Sequence, residues 1–405
     1  MTSTNQDMNP MKRWSSMDRP FPCVWQGMRA LACALVVLGA PVDASPDTGA
    51  QQTSASFSQG TKPTAPSRSS GKQSTAPAKA APGNGADKDA ATDAKRHVFM
   101  LPLDGMVGIG LRHDEMEKVE QVADKIGPGQ VIILRINSNG GLVIEGDMIA
   151  ESLTRIKQKH RLVAWIEKAI SGGAFTALWC DEMYFMPEAA LGSITMLTGR
   201  TEVSAVREEW KERVAEACAG GGRDPLIGPA MVHSEVELSY EKTPDGKVTF
   251  YPDVKHTYVL SRSNENLDFN AQNAEHCGFS DGTAKTDAEL YKLLGVDDGE
   301  KYIISDAGKK IAAEWQKLIK DCKDKVPLLL RKRDIEGTSE GGVAQLQARI
   351  KNNQAIIDWF KKCRPEMVYE LGVGDQAIES LKEENEELRK QVKELQAAPR
   401  ENRGN

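Results

Sequence analysis

The sequence has little that would commit it to a metal, a nucleic acid or a bilayer. Seven cysteines are spread over 405 residues. They form no CxxC pair and no Cys/His cluster at zinc spacing, so neither a metal site nor a cofactor is expected. The formal net charge is only −6, and no long basic stripe is present. That balance excludes a general nucleic-acid binder. Beyond the N-terminal stretch no apolar run reaches a membrane-spanning length.

What is present begins with a targeting pattern. Lys12, Arg13, Arg19 and Arg29 precede LACALVVLGA at residues 31–40, and small residues follow in APVDAS, a cleavage region near Ala44. Residues 1–44 read as an export signal, with an uncleaved N-terminal anchor as the rival. Cys23 and Cys33 fall inside it. The remaining cysteines are odd in number, so at least one is unpaired or paired between chains. Cys180 reads as a core residue. Residues 45–95 are rich in Ser, Ala, Pro and Gly and read as a disordered linker.

From residue 96 the pattern alternates. Strand-like VFMLPL is followed by helical spacing over 114–126, the buried run VIILRI, a turn NSNGG and a helix over 142–157. Then come the strand LVAWI, a turn at Ser171, a short apolar helix, and the strand EMYFM, which Pro187 is expected to end. Nearly all-apolar strands between helices predict an α/β domain with a largely parallel sheet. Helices are expected over 201–219, 267–277 and 288–294, and a hairpin within 236–259.

Ser171 stands at a strand-to-helix turn with Gly172 and Gly173 behind it. Such a turn exposes a hydroxyl and the next N–H, which is what a nucleophile needs. The alternative is a serine that caps the following helix. Gly140 and Gly141 close a second turn, on the preceding strand. Two such turns can surround one oxyanion with backbone donors.

The tail differs. Long amphipathic helices are expected over 305–323 and 343–363 within a helical extension, 301–374. A short coiled coil is expected over 375–398, with Ile378, Leu381, Asn385, Leu388, Val392 and Leu395 in steps of three and four. Asn385 falls at an a position, flanked by Glu384 and Arg389 at g and e, the pattern of a parallel dimer. The alternative is a helix packed on its own domain.

NSNGG, then AISGGAFTALWCDEMYFMPEAALGS, GRDPLIGPAMV and NAEHCGFSDGTAKTDAELYKLLG together resemble the ClpP/crotonase superfamily, most of all its signal peptide peptidase A and NfeD-type serine proteases. The likeness runs over residues 97–296. It implies a spiral of ββα units over 96–300 and an exported, periplasmic peptidase with a Ser–Lys dyad, acting on peptide or protein substrates, membrane-derived segments included. Ser171 matches the nucleophile, and Gly141 and Gly172 match the oxyanion donors. Gly140, Gly173 and Ser193 would border the substrate groove. No histidine lies between Ser171 and His233, so the nearby triad histidine is missing. Lys211, the only lysine between Lys168 and Lys242, stands at the spacing of the family base. The departures are Asn139, where the family has proline, the charged setting REEWKERV around Lys211, and Arg223 at the longer spacing, where an arginine cannot act as base. His233, His256 and His276 read as packing residues. A homo-oligomer is expected, with a C-terminal coiled-coil contact. Two other readings stay open: a crotonase-like acyl-CoA enzyme, and an inactive scaffold on the same fold.

Overall fold

The structure, a computed structural model, describes residues 95–199, 201–336 and 342–397. The expected export signal and, but for its last residue, the expected linker fall outside these residues. The strands are β1 (Arg96–Asp104), β2 (Val131–Ser138), β3 (Arg161–Ile170), β4 (Glu182–Gly192), β5 (Leu197–Thr198), β6 (Thr201–Glu202), β7 (Leu238–Lys242), β8 (Val248–Tyr251), β9 (Tyr258–Ser261), β10 (Asp268–Asn270), β11 (Gly282–Thr283) and β12 (Tyr302–Ser305). The helices are α1 (His113–Ile126), α2 (Val143–Lys157), α3 (Gly172–Leu178), α4 (Arg207–Gly220), α5 (Ile227–Val232), α6 (Ala271–His276), α7 (Asp287–Leu294), α8 (Ala307–Glu336), α9 (Val343–Lys362), α10 (Arg364–Tyr369) and α11 (Asp375–Ala397).

The fold is mixed α/β with a C-terminal set of helices, as expected. The main sheet runs β10-β4-β3-β2-β1-β12, with β11 beside β4. Its pairings are parallel, except that β10 runs antiparallel to β4. The central strands are buried on both faces, which is why they read as unbroken apolar runs. Along β1, Phe99, Leu101 and Leu103 enter one core, shared with residues of α1 to α4. Val98 and Met100 enter a second, closed by Leu290 and Leu294 of α7.

Three element boundaries differ from expectation. β4 does not stop at Pro187. It bulges there, residues 186–189 standing opposite Glu167 alone, and resumes to Gly192. A proline cannot donate to the ladder, and a bulge removes the need. A β5–β6 hairpin replaces the expected start of the helix at 201, so that α4 begins at Arg207. Residues 268–270 form β10 rather than the first turn of a helix. The expected hairpin gains a third strand, giving the order β8-β7-β9.

The C-terminal seam is a correction. Ile378, Leu381, Asn385, Leu388 and Val392 are buried within the chain itself. Ile378 and Leu381 share a core with Ile356, Ile357 and Phe360 of α9 and with Trp315, Ile319 and Val326 of α8. Asn385 Oδ1 accepts from Asn353 Nδ2 of α9 at 3.2 Å. Glu384, expected at a flank between copies, accepts from Arg333 Nη2 and Asn353 Nδ2 and pairs with Arg349. An apolar stripe needs any apolar partner, and α9 supplies one within the same chain. Among these positions Leu395 stays exposed. Leu381→Ala is therefore expected to cost about 2–5 kcal/mol of unfolding free energy, at a denaturation midpoint independent of protein concentration. A midpoint that falls on dilution would mean that the seam joins two chains.

Candidate active site

β3 leads into Ser171, whose backbone sits at φ 54°, ψ −120°. A non-glycine residue there costs roughly 1–3 kcal/mol and persists only if its surroundings hold it. They do: Ser171 N–H donates to Gly192 O at 2.9 Å, and Phe175 N–H donates to Ser171 O at 3.0 Å. The serine hydroxyl makes no capping bond to α3, so the capping alternative is not what the turn uses it for.

The glycine turn at 140–141 lies directly against this serine. A Cβ on Gly140 would stand 2.5 Å from Ser171 Cβ and 2.9 Å from its Oγ, at a φ of +101°. A Cβ on Gly141 would fall 2.3 Å from Val107 O. Both positions therefore require glycine by contact. Val107, in the loop between β1 and α1, bonds the turn on both sides. Its N–H donates to Gly140 O at 2.8 Å, and its carbonyl accepts from Leu142 N–H at 3.0 Å. That bridge leaves Gly141 N–H outside the ladder. Gly172 opens α3, and a first helical N–H has no acceptor in its own helix. Gly141 N would lie 3.5 Å from a Cβ built on Gly172. Two free donors thus stand close together beside Ser171.

All three residues line a cavity of about 210 Å³. Its other walls are Val107, Leu142, Val143, Gly146, Phe175, Thr195, Met196, Leu197 and Trp210. Phe175 and Trp210 stack with ring centroids 5.3 Å apart, and Trp210 Nε1 is fixed to Ile194 O at 2.6 Å. The space beside the serine is thus mostly apolar.

Lys211 follows Trp210 on α4 but does not line this cavity. Its side chain is 18% exposed, and its Nζ donates to Glu208 Oε1 at 2.9 Å. Gly173 and Ser193, expected along the groove, do not line this cavity. Gly173 is buried against Ser138, where a Cβ would meet Ser138 Cβ at 3.0 Å. Ser193 sits at φ 47° and donates its Oγ to Asp268 Oδ2 at 2.9 Å. Burial pushes the Asp268 carboxyl up, against the Ser193 bond. Arg223 is a structural cation, donating to the carbonyls of Cys180, Gly221 and Phe279.

The histidines have packing or polar partners. His233 Nδ1 accepts from Glu235 N–H, His256 stacks on Tyr251, and His276 bonds Tyr240. Cys180, Cys218, Cys277, Cys322 and Cys363 are free and buried, and burial drives the Cys180 thiol up to about 12.

The residues missed from sequence are the apolar walls and Val107. Val107 sits in DGMVGIG, a segment read only as a turn. Also missed is Glu145, in the first turn of α2. Its Oε1 accepts from His113 N–H at 2.9 Å and meets His113 Nδ1 at 2.6 Å, tying the start of α1 to α2 just beyond the glycine turn.

The sheet and its serine turn define a ClpP-like α/β protein of the superfamily that holds the NfeD and signal peptide peptidase A types. A family model described as NfeD1b, N-terminal domain, matches residues 97–303. That is half of the chain, and the chain belongs to this family. It is similar to membrane protein NfeD1b of Bacillus subtilis, 25% identical over 224 residues, which cover 55% of this chain and 46% of the relative. It is also similar to probable protease SohB of Buchnera aphidicola, 34% identical over 106 residues, or 25% of this chain and 30% of the relative. The chain thus spans about half or less of the curated relatives it matches. Among solved structures, a mutant of the 1510-N membrane-bound stomatin-specific protease is similar over 53% of this chain and 91% of its own, at 14% identity and a TM-score of 0.38. Among the described residues, no helix is long and apolar enough to cross a membrane.

The Glu145 hydrogen bond, against the opposing effect of burial, holds the His113 pKa above its ordinary 6.5. A raised histidine pKa contributes stability that is full below the unfolded value and is lost as pH rises through the folded one. Glu145→Gln is therefore expected to lower the melting temperature more at about pH 6 than at about pH 9. Equal losses at the two pH values would show that only the backbone bond matters.

Proposed function

We propose that this chain is a serine peptidase of the Ser–Lys type, with Ser171 as nucleophile and the Gly141 and Gly172 N–H groups as the oxyanion hole. The observation that carries the reading is the strained Ser171. Its hydroxyl is spared from capping and stands beside two unclaimed backbone donors at the edge of an apolar cavity. Strain of this kind is kept where surrounding structure over-determines it, and it clusters at reacting centres. Relatives named as probable proteases support a protease-like function at the level of the family.

In this reading a peptide lies across the Ser171 turn with an apolar side chain in the cavity. Gly140, Gly173 and Ser193 set the turns that border the groove. Lys211, as a neutral amine, takes the Ser171 proton while Oγ attacks the carbonyl carbon. The oxyanion is received by Gly141 and Gly172 N–H. The same amine returns the proton to the leaving nitrogen, and water then releases the acyl group. Lys211 Nζ must first leave Glu208, to which it donates. The exchange requires α4 or the Lys211 side chain to move toward the serine when substrate fills the cavity. We assign the site to an exported protein that works as a homo-oligomer on peptide or protein substrates. The name of its relative, a membrane protein, is in keeping with a substrate derived from the membrane.

One observation favours a second reading, a peptide-binding module without turnover: Lys211 is paired with Glu208 and does not line the Ser171 cavity. A fluorophosphonate probe separates the two. The peptidase reading expects labelling of the wild type and none of Ser171→Ala. It also expects a labelling rate about 10²–10⁴-fold lower in Lys211→Ala. A wild type that takes no label is a binding module. Labelling indifferent to Lys211 assigns the base elsewhere.

A further inference from the structure

The family match ends at residue 303, and α8 begins at Ala307. The helical extension nevertheless reaches the glycine turn through one loop. Residues 105–112 join β1 to α1 and carry Val107, the partner of the 140–142 turn. At its strand end Gly105 N–H donates to Asn137 O at 3.0 Å. At its helix end His113 is held by Glu145. Between these ends the loop is held by the Val107 bridge and by a turn of its own, in which Ile109, Gly110 and Leu111 N–H donate to Met106 O and Gly108 N–H donates to Leu111 O.

Helix α8 adds a further hold, on carbonyls that this turn does not use. Trp315 Nε1 donates to Ile109 O at 2.7 Å in a buried setting. Gln316 Nε2 donates to Asp104 O at 2.9 Å and to Gly110 O at 3.3 Å. Arg112 lies over the Trp315 ring at 5.0 Å. The side chains divide the same way. Val107 and Leu111 belong to the α/β core, whereas Ile109, with Met106 packed beside it, belongs to the core of the helical extension. Helix α8 has little freedom to slide, since a Cβ on its Gly308 would stand 2.3 Å from Met100 O of β1.

We infer that Trp315 and Gln316 are positioning residues for the oxyanion turn, so that the C-terminal extension is part of the working site. Neither touches the cavity. They act through the 105–112 loop: its carbonyls fix Val107, Val107 fixes residues 140–142, and Gly141 N–H takes its direction from that bridge. Small errors in donor placement are expensive in such a site. The inference rests on the peptidase reading, and its test has a part that does not.

The test uses the full chain with Gln316→Met, which keeps length and removes the donors, and Trp315→Phe, which keeps a ring and removes the N–H. The maximal rate of fluorophosphonate labelling of Ser171 is expected to fall about tenfold in each, with the half-saturating probe concentration unchanged. A merely structural loss would reduce the fraction of chains labelled and not the rate of those that react. A maximal rate within twofold of wild type in Gln316→Met overturns the inference. Gln316 is only half-buried, so that variant decides if Trp315→Phe does not fold. Should the wild type take no label, the peptidase reading has failed separately. Hydrogen exchange then decides: faster exchange of amides 139–142 in Gln316→Met supports the coupling, and unchanged exchange overturns it.

Discussion

The candidate site depends on the bridge between Val107 and the glycine turn. Two backbone bonds, Val107 N–H to Gly140 O and Leu142 N–H to Val107 O, hold two crossings of the chain closer than any side chain at Gly141 would permit. The closeness explains the rest. Gly140 leaves space for the Ser171 side chain, Gly141 for the Val107 backbone, and Val107 packs its own side chain near Gly172. Three segments distant in sequence meet with no Cβ between them at Gly140 and Gly141. The serine then stands between two backbone donors with no further machinery.

A second backbone contact holds the strain at Ser171. A left-handed serine is tolerable because β4 meets β3 again after the Pro187 bulge, and Gly192 O receives the Ser171 N–H. β10 then lies antiparallel on the same end of β4. A β4 that stopped at Pro187 would leave that bond unmade. The bulge is thus the device that brings a second stretch of β4 to the serine.

Much of this was legible in the sequence, for physical reasons that also mark the limits. VIILRI and LVAWI announce buried parallel strands because both their faces are covered. NSNGG and SGG announce turns because only glycine tolerates the approach. Legibility fails where a residue's role is set by a partner far along the chain. Val107 looks like any apolar residue in a turn, and Glu145 like any helix acid. Pro187 looks like a stop, since nothing local reveals that β4 resumes. The heptads of α11 are real, but an apolar stripe does not name its partner, and α9 answers it before a second copy can. Lys211 shows the same limit from the other side. Its spacing from Ser171 is a fact of sequence, whereas its contact with Glu208 is a fact of helix geometry, since residues three apart share a face.

The helical extension changes what should be regarded as the unit of function. A domain drawn from residues 96 to 300 would keep every residue that touches the cavity. It would also expose the backs of Met106 and Ile109 and strip the donors from Ile109 O, Asp104 O and Gly110 O. A buried carbonyl without a donor must turn toward water or be paid for elsewhere. The segment able to turn is the loop that carries Val107. The two apolar cores therefore meet at the segment on which the glycine turn leans. The C-terminal helices belong to the site in the same sense as the strands beneath it: they fix where a backbone N–H points.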